Sequence, residues 1–254
     1  MYNLINYPVV LFLVSFAILW LSSWTGTRLL RRRALEEGAR EDFGVIQAAT
    51  LTLLGLILGF SFSMAIGRYD QRKNLEEEEA NAIGTEYLRA DLLPAADAAK
   101  IKELLARYSE QRIAFYITRD LDEYLQIAAR TAKLQGEMWT AVQVPAVAQP
   151  TPLSALAVAG MNDVLNSQGY TQAAWWNRIP VSAWGLMVTT AICCNVLTGY
   201  GARNARAERM LLLVLPLVVS VTFMLIADID SPRGGLIRVQ PQNLMNLLES
   251  LHPR

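Results

Sequence analysis

The sequence predicts an all-α fold: a polytopic membrane protein with four transmembrane helices and a helical extramembrane domain between the second and third. Three observations carry this. Four apolar runs each approach the ~20 residues that a helix needs to cross a bilayer. The polar segment between the second and third runs spaces its apolar residues by three and four, the helical period. No stretch of useful length alternates apolar and polar residues as a half-buried strand does. Hydrophobic residues make up 53% of the chain, and 23 basic and 23 acidic residues leave a formal net charge of zero. No overall basic signal for nucleic acid exists.

The first run is Pro8 to Trp24. The basic stretch "RLLRRR" follows it instead of preceding it, the reverse of a secretory signal, so an uncleaved helix is expected. Tyr2, Tyr7, Trp20 and Trp24 lie near its ends, where interfacial aromatics belong. The second run, Phe43 to Gly67, is uncharged between Asp42 and Arg68. It passes into "RYDQRKNLEEEE" with no stop signal, so one rod is expected to leave the lipid and enter the polar block. The third run is Pro180 to Tyr200, with Trp175, Trp176 and Trp184 as its interfacial aromatics and Cys193 and Cys194 as small apolar fillers. The fourth is Met210 to Ala227, kinked at Pro216.

Four helical stretches are expected in the polar block. Arg68 to Leu93 ends at Pro94, and its "EEEE" (Glu76 to Glu79) reads as a solvated face paired as Arg72–Glu76 and Lys73–Glu77. Asp97, a candidate N-cap, starts a helix to about Arg119. Its stripe is Ile101, Leu104, Leu105, Tyr108, Arg112 and Phe115, with one charged member. Leu121 to Trp139 follows, and three prolines make Val144 to Pro152 a linker. Leu153 to Trp176 leads back to the membrane. After the fourth run, Pro232, Gly234 and Gly235 make a turn. A short amphipathic helix with Leu244, Leu247, Leu248 and Leu251 is expected to dock on the polar block or on a neighbouring chain. The domains are therefore 1–67, the first transmembrane pair; 68–178, the helical domain; 179–229, the second pair; and 230–254, the tail.

The candidate functional residues lie on the second helix. Gly55, Gly59, Ser63 and Gly67 fall four apart along one face. Small residues in that register let another helix approach closely, either from the same chain or from a second copy. One position along, Thr52, Leu56 and Phe60 form a parallel row, about 100° around the helix. If the glycine row packs on a neighbour, this row faces a central axis, where a ring of Leu and Phe makes a constriction that gates by dewetting. The alternative is an ordinary lipid-facing or core row.

"LGF" (Leu58 to Phe60) followed by "RYDQRKN" resembles the second transmembrane segment of bestrophins, and "ADIDSPRGG" (Ala227 to Gly235) resembles the segment after their last membrane helix. Over most of its length the chain is similar to a bacterial bestrophin-like family, on "GFSFSMAIGRYDQRKNLEEEEANAIGTEYLRADLLP" and "IADIDSPRGGLIRV". The resemblance implies a multi-pass protein of the bacterial plasma (inner) membrane and a homo-oligomer, a pentamer as in bestrophins. It implies an anion channel whose pore is lined by Thr52, Leu56 and Phe60 of the second helix. Thr52 departs from the bulky apolar pattern of the bestrophin neck, and the acidic run of the animal bestrophin calcium clasp is absent.

The expected partners are the lipid bilayer, further copies of the chain and inorganic ions. No cofactor and no metal are expected: Asp228 and Asp230 alone do not supply the six to eight oxygens of a calcium site. No catalytic residue is expected, since there is no nucleophile–base pairing, no phosphate loop and a single histidine, His252, at the end of the chain. The rival reading is a non-conducting membrane scaffold or sensor whose helical domain binds a partner. Orientation is contested. Arg28, Arg31 to Arg33 and Arg40, with Arg203, Arg206 and Arg209, place their two short loops in the cytosol by the positive-inside rule and the helical domain outside. The resemblance places that domain in the cytosol.

Overall fold

A computed structural model describes residues 6–30, 37–202 and 210–251. Tyr2, Arg31 to Arg33, Arg203, Arg206, Arg209 and His252 lie outside the described residues. All regular structure among the described residues is helical: α1 (Pro8–Thr25), α2 (Glu37–Arg89), α3 (Ala95–Ile117), α4 (Leu121–Ala148), α5 (Pro152–Trp176), α6 (Val181–Gly201), α7 (Leu211–Asp230) and α8 (Gln242–Leu251). A π-helical turn, Gly26–Leu30, follows α1, and a 3-10 turn, Ala90–Leu92, follows α2. Four helices are long and apolar enough to cross a membrane.

The chain divides into two compact units, Met1–Arg68 with Arg178–Arg238, and Tyr69–Asn177 with Val239–Arg254. The tail is therefore split: the turn after α7 belongs to the first unit and α8 to the second. The single helix α2 contributes residues to both.

In the first unit α1 packs on α6 and α7. The α1–α6 crossing is made possible by two glycines. A Cβ at Gly199 would lie 2.0 Å from the Ser23 carbonyl oxygen, and one at Gly26 would lie 2.3 Å from that of Val196. Ser23 Oγ donates to the Asn195 carbonyl at 3.3 Å in the same crossing. Trp184 is buried edge-on against Phe223, ring centres 6.0 Å apart, instead of lying in an interfacial belt. Tyr7, Trp20 and Trp24 are exposed, as interfacial aromatics must be. Pro216 is accommodated inside α7.

In the second unit α3 packs on α4 and α8, and α4 on α5. Their core contains the stripe read from the sequence, Ile101, Leu104, Leu105, Tyr108 and Phe115. Two boundaries differ from expectation. The helix after Pro94 starts at Ala95 with no side-chain cap, so Asp97 sits within the first turn. There its charge favours the N-terminal end of the helix dipole. And α4 continues through Pro145 to Ala148. Proline forfeits one intrahelical hydrogen bond. Here that falls in the last turn, and the Pro145 carbonyl still accepts from Gln149 N at 2.9 Å. The break is confined to Gln149–Thr151, where Thr151 and Ser154 form a capping box and Pro152 opens α5. Trp175 is also buried, packed 4.6 Å from Phe115 and 5.5 Å from Tyr116 between ring centres. Only Trp176 of that pair is exposed.

Candidate functional site

The membrane-spanning part of α2 uses one face within the chain. Leu54, Leu58, Ser61 and Ala65 are buried at spacings of four, three and four. On the polar edge of this contact Gln47 Nε2 reaches Thr198 Oγ1 at 3.3 Å and Cys194 Sγ reaches the Thr50 carbonyl at 3.4 Å. The two rows singled out in the sequence lie elsewhere on the helix. Thr52, Leu56 and Phe60 are exposed, Phe60 at 63%. Gly55, Gly59, Ser63 and Gly67 are exposed too, and a Cβ built at any of the three glycines would meet nothing within 4 Å. Among the described residues the glycine row has no partner helix in its own chain. The Thr52 hydroxyl is satisfied by the Ala48 carbonyl at 2.9 Å.

Beyond Arg68 the same helix changes character. Arg72, Glu76, Glu79 and Glu86 are buried, with Ile83 and Ala90 between and after them. These positions are spaced four, three, four, three and four apart, one continuous stripe. The solvated reading of "EEEE" therefore holds only for Glu77 and Glu78, which are exposed. Each of the first three buried charges has a partner of matching chemistry. Arg72 donates from Nε to the Ala174 carbonyl and from Nη2 to the Asn177 carbonyl, both at 3.2 Å, placing a cation at the carboxyl end of α5. Glu76 accepts from Leu244 N at 3.0 Å and Asn243 Nδ2 at 2.7 Å, placing an anion at the amino end of α8. Thus α8 docks on the second unit.

Glu79 pairs with Arg112 through both oxygens, Oε1 with Nε and Oε2 with Nη2. Tyr116 Oη and Thr171 Oγ1 donate to Oε2, each at 3.4 Å. The Arg112 guanidinium lies 4.4 Å from the centre of the Phe115 ring. Burial opposes its charge, but Glu79, Tyr108 and Tyr116 together outweigh it, so its pKa rises. Tyr116 is held protonated well above the usual phenol range, first by burial and then by Glu79.

The turn after α7 is built around two carboxylates. Asp228 accepts from Leu236 N and Ile237 N, both at 2.8 Å. Asp230 accepts from Ile179 N at 3.2 and 3.1 Å and faces Arg68 at 3.5 Å. Glycine is required at 235, where a Cβ would lie 2.3 Å from the Asp228 carbonyl oxygen, and at 234, where it would lie 2.3 Å from that of Asn6. "ADIDSPRGG" is thus a turn whose acid oxygens are taken by backbone amides and, at Asp230, by Arg68 as well. No group of three or more candidate metal ligands occurs among the described residues.

A Bestrophin-like domain matches residues 11–244. The chain belongs to the Bestrophin-like family. Its fold is also that of crystal structures of a bacterial Bestrophin homolog from Klebsiella pneumoniae. One form is 14% identical, covers 96% of this chain and 99% of that one, and superposes with a TM-score of 0.61. A single-substitution form is 13% identical over 94% and 97% of the two chains, with a TM-score of 0.62. A crystal structure described only as a membrane protein variant reaches a TM-score of 0.65 at 14% identity, covering 95% and 98%. A search of curated protein sequences finds no match. This Bestrophin-like chain is therefore a multi-pass membrane protein, all-helical, with a helical domain inserted between its second and third spans.

The three residues of the candidate pore row lie together on one exposed side of α2, and the glycine row runs beside them. What the sequence did not point to is the buried acid stripe. Arg112, a lone charge in an otherwise apolar stripe of α3, was its available signal, because a buried cation needs a buried anion.

Proposed function

We propose that the chain is one subunit of a homo-oligomeric ion channel whose α2 helices surround an axial pathway. Thr52, Leu56 and Phe60 line that pathway, and Gly55, Gly59, Ser63 and Gly67 pack against the adjacent subunit. The observation that supports it most is the use of α2. One face of its apolar part is buried inside the chain, while the bulky row is exposed and, among the described residues, a Cβ at any glycine of the other row would meet nothing within 4 Å. Leu56 and Phe60, 53% and 63% exposed here, are bulky enough to form rings that exclude water from a narrow path. Anion conduction and a pentameric ring are supported by the likeness to bestrophins.

The test is recording from purified protein in planar bilayers under a chloride gradient. A current reversing near the chloride equilibrium potential is expected. Phe60→Ala should raise unitary conductance by widening the neck. Unchanged currents would remove Phe60 from the path. Absence of conductance, together with a monomer or a dimer packed on the glycine face, would overturn the channel in favour of a scaffold.

A further inference from the structure

The fourth buried ionisable residue of the α2 stripe stands apart. Glu86 is fully buried, and neither carboxyl oxygen has a hydrogen-bond partner. Its end is pressed against the bare backbone of α5. A Cβ at Gly160 would lie 2.1 Å from Glu86 Oε2 and 2.6 Å from Arg89 Nη1, so both groups occupy the space that only glycine leaves open. Arg89 is itself drawn toward α5, its Nη1 lying 3.9 Å from Asp163 Oδ2. The ionisable groups around Glu86 are therefore Arg89 from its own helix and Asp163 from α5.

We propose that Glu86 is a proton-binding site of the helical block, holding its proton while α2 and α5 are packed and loosening that contact when the proton leaves. The chemistry is that of a carboxyl without partners. In the neutral form it needs little solvation, whereas a buried carboxylate with no donor is costly. Burial is the largest cause raising its pKa, Arg89 opposes it, Asp163 adds to it, and the outcome is about 8. On deprotonation the O–H bond breaks, the electron pair stays on the carboxylate and the proton passes to water. The new anion then competes with Asp163 for the one guanidinium between them. A metal ion is a poorer occupant, because a guanidinium already holds the place and, among the described residues, two carboxylates are near.

The sign of the linkage is fixed by the direction of the shift. The unfolded carboxyl titrates near 4.5 and the folded one near 8. Between those values the folded state holds a proton that the unfolded state lacks, so stability falls as pH rises through the window and levels off above it. The test uses full-length protein in lipid nanodiscs, titrated from about pH 5 to pH 10, with infrared detection of protonated carboxyl groups and a thermal melt at each pH. A carboxyl band is expected to disappear with a midpoint near pH 8 and to be missing in Glu86→Gln. The melting temperature of Glu86→Gln should exceed that of the parent by an amount that grows with pH. Asp163→Asn, an exposed substitution that leaves the fold intact, should move the midpoint to lower pH. A band that persists in Glu86→Gln, a parent with no such titration, or a midpoint indifferent to Asp163 would overturn the assignment. Neither readout involves current, so the result is independent of whether the chain conducts.

Discussion

Removing the charge of Glu79 tests the organisation of the helical block most directly. Glu79→Gln keeps the side-chain volume, so it opens no cavity. It leaves the Arg112 guanidinium, 1% exposed, without its counter-charge. Arginine does not escape by losing a proton. Breaking one side of a buried pair costs about 3 to 5 kcal/mol, because the remaining charge is stranded in a poor solvent. For a chain of this size each kcal/mol moves the melting temperature by roughly 2 to 4 °C, so a fall of roughly 6 to 20 °C is expected. The assay is a thermal melt of purified protein followed by tryptophan fluorescence, to which buried Trp175 contributes through the same cluster. Replacing both partners by methionine removes the stranded charge and should recover more than half of the loss. The long contacts from Tyr116 and Thr171, both 3.4 Å, are lost in the double variant and keep recovery incomplete. A fall of less than about 3 °C in Glu79→Gln, or a double variant worse than either single one, would refute the reasoning.

Two further outcomes follow. Gly199→Ala places a methyl 2.0 Å from the Ser23 carbonyl oxygen, so α1 and α6 must separate; a loss of several °C in melting temperature is expected, with no change in the second unit's proteolysis pattern. At Gly59 a Cβ would meet nothing within 4 Å among the described residues, and Gly59→Leu should leave helix content unchanged by circular dichroism. If the proposed subunit packing is right, it will shift the purified protein toward smaller species on multi-angle light scattering.

The membrane spans were legible because bilayer thickness sets their length. Pro8 to Trp24 became Pro8–Thr25, and Pro180 to Tyr200 became Val181–Gly201. The fourth runs three residues past Ala227, to Asp230. Hydropathy stops at the first acid, but Asp228 and Asp230 are satisfied by backbone amides and need no water, so the helix carries on. The unbroken exit of α2 was legible for the converse reason, since no residue between Gly67 and Arg89 forces a stop. The inward stripe Arg72–Glu76–Glu79–Ile83–Glu86–Ala90 was hidden. Its spacing is helical, but periodicity is read from apolar residues, and four of its six members are ionisable. Each of these side chains is kept inside by a group far away in sequence: the end of α5, the start of α8, Arg112, and for Glu86 a gap left by Gly160. Local pattern holds no record of such partners.

The glycines make the same point from the other side. Within the chain, close helix approach is achieved at Gly26 and Gly199, which stand alone and carry no repeated spacing. There each glycine admits the backbone of the facing segment at one place, Gly199 that of Ser23 and Gly26 that of Val196. A row of small residues four apart is of use only to a partner that runs alongside for several turns. The row Gly55–Gly59–Ser63–Gly67 has that length, and none of the described helices of its own chain lies on it. Glycine weakens a helix interior by roughly 0.5 to 1 kcal/mol each relative to alanine, a cost that packing normally offsets. Three uncompensated glycines in one span would make α2 its own weakest point. In the proposed oligomer a second copy of α2 along this row would supply the missing contact, and the adjacent Leu56 and Phe60 would then face whatever the ring encloses.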